Sequence, residues 1–372
     1  MKKNLRIGLF VQLIVSGAPL MADLFIPQFA ETLGASKFEI GVLGTAFALS
    51  MFLSSAFFGR VSDMFGRKRI LIFGFLFSGL FYAVSFFSVS FRSFFLLRVF
   101  QGIAIGIYPG ALAAYVSESK GSMEDYVAYG ALGIALFLYL AGVIAGLFSV
   151  RRIFIFVGIF YLVSLLLVSG IREEFGEKIE VPLFPLNVIK RNIFLYLAIF
   201  LTFTGITITW TYWVIFLRDI GTSRYATGYI TMLNPLSEFL TLKFIAKRIR
   251  FRSTKLGMLI LAVSFPVYAF AKSPLALVPL QLFSGIGWAF MYSGGLSDIM
   301  RLNKEKGTAS GLFQSSVSMG NIVGPFVAGV VFFVFKSLQA EFLFAGIFIF
   351  AGFSFLLLKD ILLKKKFLPK GE

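Results

Sequence analysis

Three ionisable side chains sit inside otherwise apolar stretches: Asp23, Arg98 and Glu238. A carboxyl group can take up and release a proton, whereas a guanidinium keeps its charge throughout the working range. A carboxylate facing an arginine stays ionised. Displacing the arginine or drying the site favours uptake of a proton. Such a pair is a minimal proton switch. The same two groups could equally form a fixed ion pair that stitches two helices together, or stand unpaired in a water-filled vestibule. The chain has no cysteine and no histidine, so disulfides, thiolate chemistry, Cys- or His-ligated metals and histidine relays are excluded. Proton handling falls to the carboxylates.

The elements that must position these groups are apolar helices. The sequence is 58% hydrophobic and 14% charged, with a mean hydropathy of +0.88, far from the composition of a water-soluble domain. Twelve apolar spans are expected, at about 6–30, 38–58, 70–90, 92–116, 126–149, 152–171, 192–217, 224–245, 255–272, 274–299, 308–334 and 340–360. Each is long enough to cross a hydrocarbon layer of roughly 30 Å. The first is too long for the core of a cleaved signal peptide and is followed by eleven equivalents. Counted along the helices, Asp23 lies about 10 Å below the outer surface and Arg98 roughly 9 Å below it, so the two can meet at one depth. Gln281 falls in the same layer. Glu238 follows Asn234-Pro235 near the inner end of the eighth span, as a second proton site, a cavity group or a snorkelling residue.

Lysine and arginine are distributed unevenly. With both termini in the cytoplasm, the inner segments hold 26 of them and the outer loops 8. The positive-inside rule accounts for this and for the net charge of +17, so nucleic-acid binding is not expected. A charged stretch with two prolines, 172–191, reads as a linker between an N-terminal bundle (1–171) and a C-terminal bundle (192–372). QGIAIGIYPG (101–110) resembles SGIGWAFMYS (284–293), 183 residues on, and suggests that the halves repeat. This architecture is typical of secondary transporters.

One loop is more specific. GRVSDMFGRKR (59–69) places Gly59, Asp63, Gly66, Arg67, Lys68 and Arg69 in a tight hairpin, where the cations anchor the inner side and Gly66 can reverse the chain. This segment resembles the signature loop between the second and third helices of the major facilitator superfamily. FLLRVFQGIAIGIYPGALAAYVSE (95–118) resembles that family's fourth helix, with Arg98 followed by Gln101-Gly102. MADLFIPQFAETLGAS (21–36) resembles the outer half of the first helix of its drug–proton antiporters. The run Gly311, Gly320, Gly324, Pro325, Ala328, Gly329 is similar to the antiporter glycine–proline motif. It lies in the eleventh span, where the antiporters carry it in the fifth; the fifth span here offers Gly142 and Gly146.

The resemblance implies an all-α integral membrane fold of twelve transmembrane helices in two pseudo-symmetric six-helix bundles, and a non-enzymatic transporter working by alternating access. It implies that Asp63 latches the inner loop and that spans 1, 4, 7 and 10 line the cavity. Candidate substrate contacts are then Gln101, Tyr108, Thr207, Trp210, Gln281, Trp288, Tyr292, Gln314 and Asn321. Trp210 could instead belong to an interfacial aromatic belt. Aromatic groups with few polar ones suit an amphipathic or cationic compound expelled against protons. In that reading Asp23, Arg98 and Glu238 handle the proton, and the proton gradient is the only energy source, with no cofactor or metal. Proton-coupled uptake of a sugar, organic acid or amino acid is the rival. The expected location is the plasma membrane, as a monomer.

Overall fold

A computed structural model describes residues 2–119, 123–170, 186–245, 254–303 and 306–367. Most of the expected linker, 171–185, lies outside these residues. So do the side chains of 59–65, and with them Asp63. Among the described residues there is no strand.

Among the described residues, fifteen helices build the twelve spans. They are α1 (Lys2–Asp23), α2 (Ile26–Thr32), α3 (Lys37–Phe65), α4 (Arg67–Ser85), α5 (Phe91–Ile107), α6 (Pro109–Glu118), α7 (Met123–Leu147), α8 (Ile153–Ser169), α9 (Leu186–Thr211), α10 (Trp213–Asp219), α11 (Arg224–Leu240), α12 (Thr254–Tyr268), α13 (Pro274–Leu302), α14 (Lys306–Phe335) and α15 (Leu338–Phe367). Ten helical segments among the described residues are long and apolar enough to cross a membrane. The other two expected spans are shorter as described. α11 carries Asn234, Pro235 and Glu238 and passes into a π-helical turn at Thr241–Ile245, while α12 begins where the description resumes at Thr254.

Spans 1, 4 and 7 are each broken, for reasons visible in the sequence. Pro27 sits in the first turn of α2 and Pro109 opens α6, where a missing N–H costs nothing. Span 7 breaks at Tyr212 without a proline. Instead the Thr211 hydroxyl donates to the Thr207 carbonyl at 2.7 Å, a local bond of the kind that bends a helix.

Packing repeats with two-fold logic. In the N-terminal half α1 packs on α7, α3 on α5, and α4 on α8; in the C-terminal half α9 packs on α14, α11 on α13, and α12 on α15. The halves meet along α3–α14 and α7–α11, two crossings that the same symmetry relates. The repeat is legible in the turns. Residues 34–41, GASKFEIG, match 221–228, GTSRYATG, 187 positions on. Gly34 and Gly221 both adopt left-handed backbone (φ 88° and 81°), which glycine alone enters without strain. The serines that follow both start helices. Ser36 and Glu39 form a capping box, with the Ser36 N–H donating to Glu39 Oε2 at 2.8 Å and the Glu39 N–H to Ser36 Oγ at 3.2 Å. Ser223 Oγ accepts from the Ala226 N–H at 3.2 Å.

A candidate proton and substrate pathway between the halves

Arg98 lies on α5 and Asp23 ends α1, each reaching the other from a different helix. Arg98 Nη1 donates to Asp23 Oδ1 at 3.0 Å and to Gln101 Oε1 at 2.8 Å. The guanidinium stacks over the Phe47 ring of α3, 3.8 Å from its centroid. Arg98 is 4% exposed and Asp23 24%. The asymmetry matters chemically: the arginine is locked among protein groups, whereas the carboxylate is still partly exposed. The helix breaks at Leu24–Phe25, directly after it.

The substrate candidates separate by burial. Gln101 is fully buried inside the N-terminal half, where its amide nitrogen donates to Ser85 Oγ at 2.7 Å. Tyr108 is 3% exposed, and its hydroxyl pairs with that of Tyr161 at 2.9 Å. Gln281 is fully buried in the C-terminal half, and neither side-chain polar atom has a partner. Thr207, Trp210, Trp288, Tyr292 and Asn321 are partly exposed, and Gln314 is exposed. Thr207 Oγ1 donates to Asn321 Oδ1 at 3.3 Å, joining α9 to α14. Trp210 packs edge-on against Trp213, 5.2 Å between ring centroids. Trp213 itself is buried and donates its indole N–H to Thr231 Oγ1 at 2.9 Å.

Glu238 is not at the surface of its helix end. Trp288 and Tyr292 stand close to its carboxyl group. The Tyr292 hydroxyl donates to Gln314 Oε1 at 3.0 Å, and Phe203 packs edge-on to Trp288 at 5.1 Å. Tyr126 of α7 lies near Tyr292 of the opposite half and near Gln12 of α1. A carboxylate walled by aromatic rings therefore lies between the two bundles, a combination that attracts organic cations. Tyr126 and Gln12 carry no motif, and only the packing of α1 against α7 reveals them.

The 59–69 hairpin turns at Gly66, whose φ of 93° requires glycine, and α4 then starts at Arg67 with Lys68 and Arg69 in its first turn. Away from the termini, the other end of the bundle is closed across the halves. Glu31 of α2 pairs with both Lys37 and Arg218, the latter at 2.6 Å. The Tyr212 hydroxyl donates to the Lys37 carbonyl, and Thr45 Oγ1 to the Ile322 carbonyl at 3.1 Å. Gly41 sits on Pro325 and Gly228 on Gly142, with backbone against backbone. The glycine–proline run of the eleventh span thus lies on this closure, with Gly320 and Gly324 packed on α9 and Pro325 and Gly329 facing α3.

The Major Facilitator Superfamily model matches residues 8–315 and, in a second alignment, 195–372. The multi-drug resistance efflux pump PmrA of Streptococcus pneumoniae is 24% identical over 365 residues, covering 89% of each chain. Multidrug resistance protein 2 of Bacillus subtilis is 26% identical, covering 88% of each. Among solved structures, the nucleoside transporter NupG superposes with a TM-score of 0.74 at 17% identity, covering 95% of this chain and 98% of that one. The human organic anion transporter MFSD10 superposes at 0.70 and 18%, covering 95% and 99%. With two six-span halves related by a pseudo-two-fold axis, a closure at one end and matches running its length, this chain belongs to the Major Facilitator Superfamily and is a membrane transporter, not an enzyme.

Proposed function

We propose that this transporter expels amphipathic or cationic compounds in exchange for protons, with both termini on the cytoplasmic side of the plasma membrane. The Asp23–Arg98 pair carries the reading. A partly exposed carboxylate beside a buried arginine can exist in two forms, paired and ionised or protonated and released, and each form suits a different arrangement of the halves. Glu238, behind Trp288 and Tyr292, offers the counter-charge a cationic substrate needs, and a cation leaving that site returns the carboxylate to a proton. The names of the pneumococcal and Bacillus relatives, both multidrug resistance proteins, support the same direction of transport. Arg98 already has Asp23 and Gln101 as partners, which disfavours its use as an anion receptor for nutrient uptake. The excess of cations in the loops at the terminal end supports the orientation.

The test uses liposomes containing the purified chain and a pH-sensitive dye. Under an imposed pH gradient, lipophilic cations are added one at a time. The expected result is that some cation dissipates the gradient through the wild type and not through Asp23→Asn. If no cation moves protons through the wild type, the exchange reading is lost. If Asp23→Asn moves them equally well, Asp23 is not the carrier.

A further inference from the structure

We propose that Glu341 is a further proton-binding site, in the C-terminal half, and that its proton is linked to closure of the end of the bundle away from the termini. Glu341 lies in the first turn of α15 and is 2% exposed. Neither carboxyl oxygen has a hydrogen-bond partner; the Phe332 backbone stands beside it without completing a bond. Phe342, the next residue, is wedged into a buried aromatic cluster with Trp213, Phe216 and Tyr268. An ionised carboxylate that is 2% exposed, with no partner for either oxygen, is a costly arrangement, and a protonated carboxyl removes most of the cost. The group therefore holds a proton in the closed form.

Its position ties that proton to the closure. Tyr212, its phenolic neighbour, is the residue that reaches across the halves to the Lys37 carbonyl. Phe332 lies beneath the Lys37 ammonium, 6.0 Å from the ring centroid. Glu341 thus stands one ring behind the contact that joins the halves. The titratable and charged groups on the elements packed around it are Tyr212 and Arg218 from span 7, Tyr268 on α12 and Lys336 before α15, with Lys37 and Glu31 across the seam. None of them is bonded to either oxygen. Parting the halves removes Tyr212 from Lys37 and admits water. The carboxyl then releases its proton to that water, and the charge left behind resists reclosure. High pH should favour the open end and low pH the closed one.

The absence of cysteine makes the experiment direct. Spin labels at Ala35→Cys and Thr222→Cys, matching turns of the two halves, report their separation by pulsed EPR as a function of pH. Wild type should shift to longer distances as pH rises. Glu341→Gln, which mimics the protonated group, should stay at the short distance across the range, and Tyr212→Phe should open at lower pH. Asp23→Asn in the same background should keep the shift, which separates this site from the exchange reading above. Infrared difference spectra provide an independent readout. The protonated-carboxyl band at neutral pH should lose a component in Glu341→Gln. An unchanged pH profile in Glu341→Gln, or no carboxyl component lost, would overturn the proposal.

Discussion

In the N-terminal half Arg98 donates to Asp23 and to Gln101. In the C-terminal half the corresponding places hold Gln281, Trp210 and Ser284, and the Gln281 amide has no partner at all. The close backbone packing beside these residues is shared. Gly102 packs on the Phe47 carbonyl of α3 and Gly285 on the Asn234 carbonyl of α11, positions related by the repeat. The N-terminal half therefore concentrates its charge at one inter-helix pair near the break in span 1. The C-terminal half has lost that pair and carries carboxyls elsewhere, at Glu238 between the bundles and Glu341 behind the closure. Duplication explains how the two halves close on each other; the departures from it mark where chemistry is placed.

The sharpest way to break this comparison is to delete the pair. Asp23→Leu leaves Arg98 buried, still charged and short of its main partner, and should destabilise by about 3–5 kcal/mol. Arg98→Leu leaves a carboxyl that can take up a proton, so it should cost less. The double substitution should recover most of the loss, because no charge is left uncompensated. Gln281→Leu, at the matching place in the other half, should be neutral or stabilising, since it removes two buried polar atoms that bond to nothing. Thermal unfolding of the four variants in one detergent measures all of this. Equal losses at Asp23 and Gln281 would mean that the halves are not chemically distinct here.

A second pair of changes tests the shared part. A Cβ at Gly41 would stand 2.5 Å from the Pro325 carbonyl oxygen, and one at Gly228 would stand 2.7 Å from Gly142 Cα. Both obstacles are backbone, so neither yields to a rotamer change. Gly41→Ala and Gly228→Ala should each part the seam and raise labelling of Thr45→Cys by a membrane-impermeant maleimide several-fold. The repeat demands effects of similar size. A response confined to Gly41 would show that the α7–α11 crossing does not share the closing role of α3–α14.

Much of this was legible in the sequence. Apolar run length set the spans, because a helix in lipid must bond its own backbone and therefore declares its length. Counting 1.5 Å per residue placed Asp23 and Arg98 at one depth, and the two do meet. The repeat of 34–41 in 221–228 was equally readable, although only Gly34, Ser36 and Gly41 are identical in both copies. Other features depend on which face a helix turns. Gln101, Tyr108 and Gln281 have the residue types of ligand contacts, yet they point into their own bundles. Glu341 is one acidic residue near a span end, where a carboxylate usually reaches water. Only its burial in the folded chain, with neither oxygen partnered, shows that this one does not.

The smallest effect expected is at the visible ion pairs of the closure. Glu31 accepts from Lys37 and Arg218, and Arg218 is 46% exposed. Water and salt screen such pairs, and each is worth about 0–1 kcal/mol. Glu31→Gln should therefore raise Thr45→Cys labelling only slightly, and high salt should erase the difference between it and wild type. The two tails, α2 and α10, place Glu31 and Arg218 at equivalent positions of the repeat, so the pair sits close to the pseudo-two-fold axis and has little leverage on either seam. If Glu31→Gln opened the end as far as Gly41→Ala, charge rather than backbone packing would be holding the halves together. The symmetry of the glycine seams would then be a relic of duplication instead of the closing device.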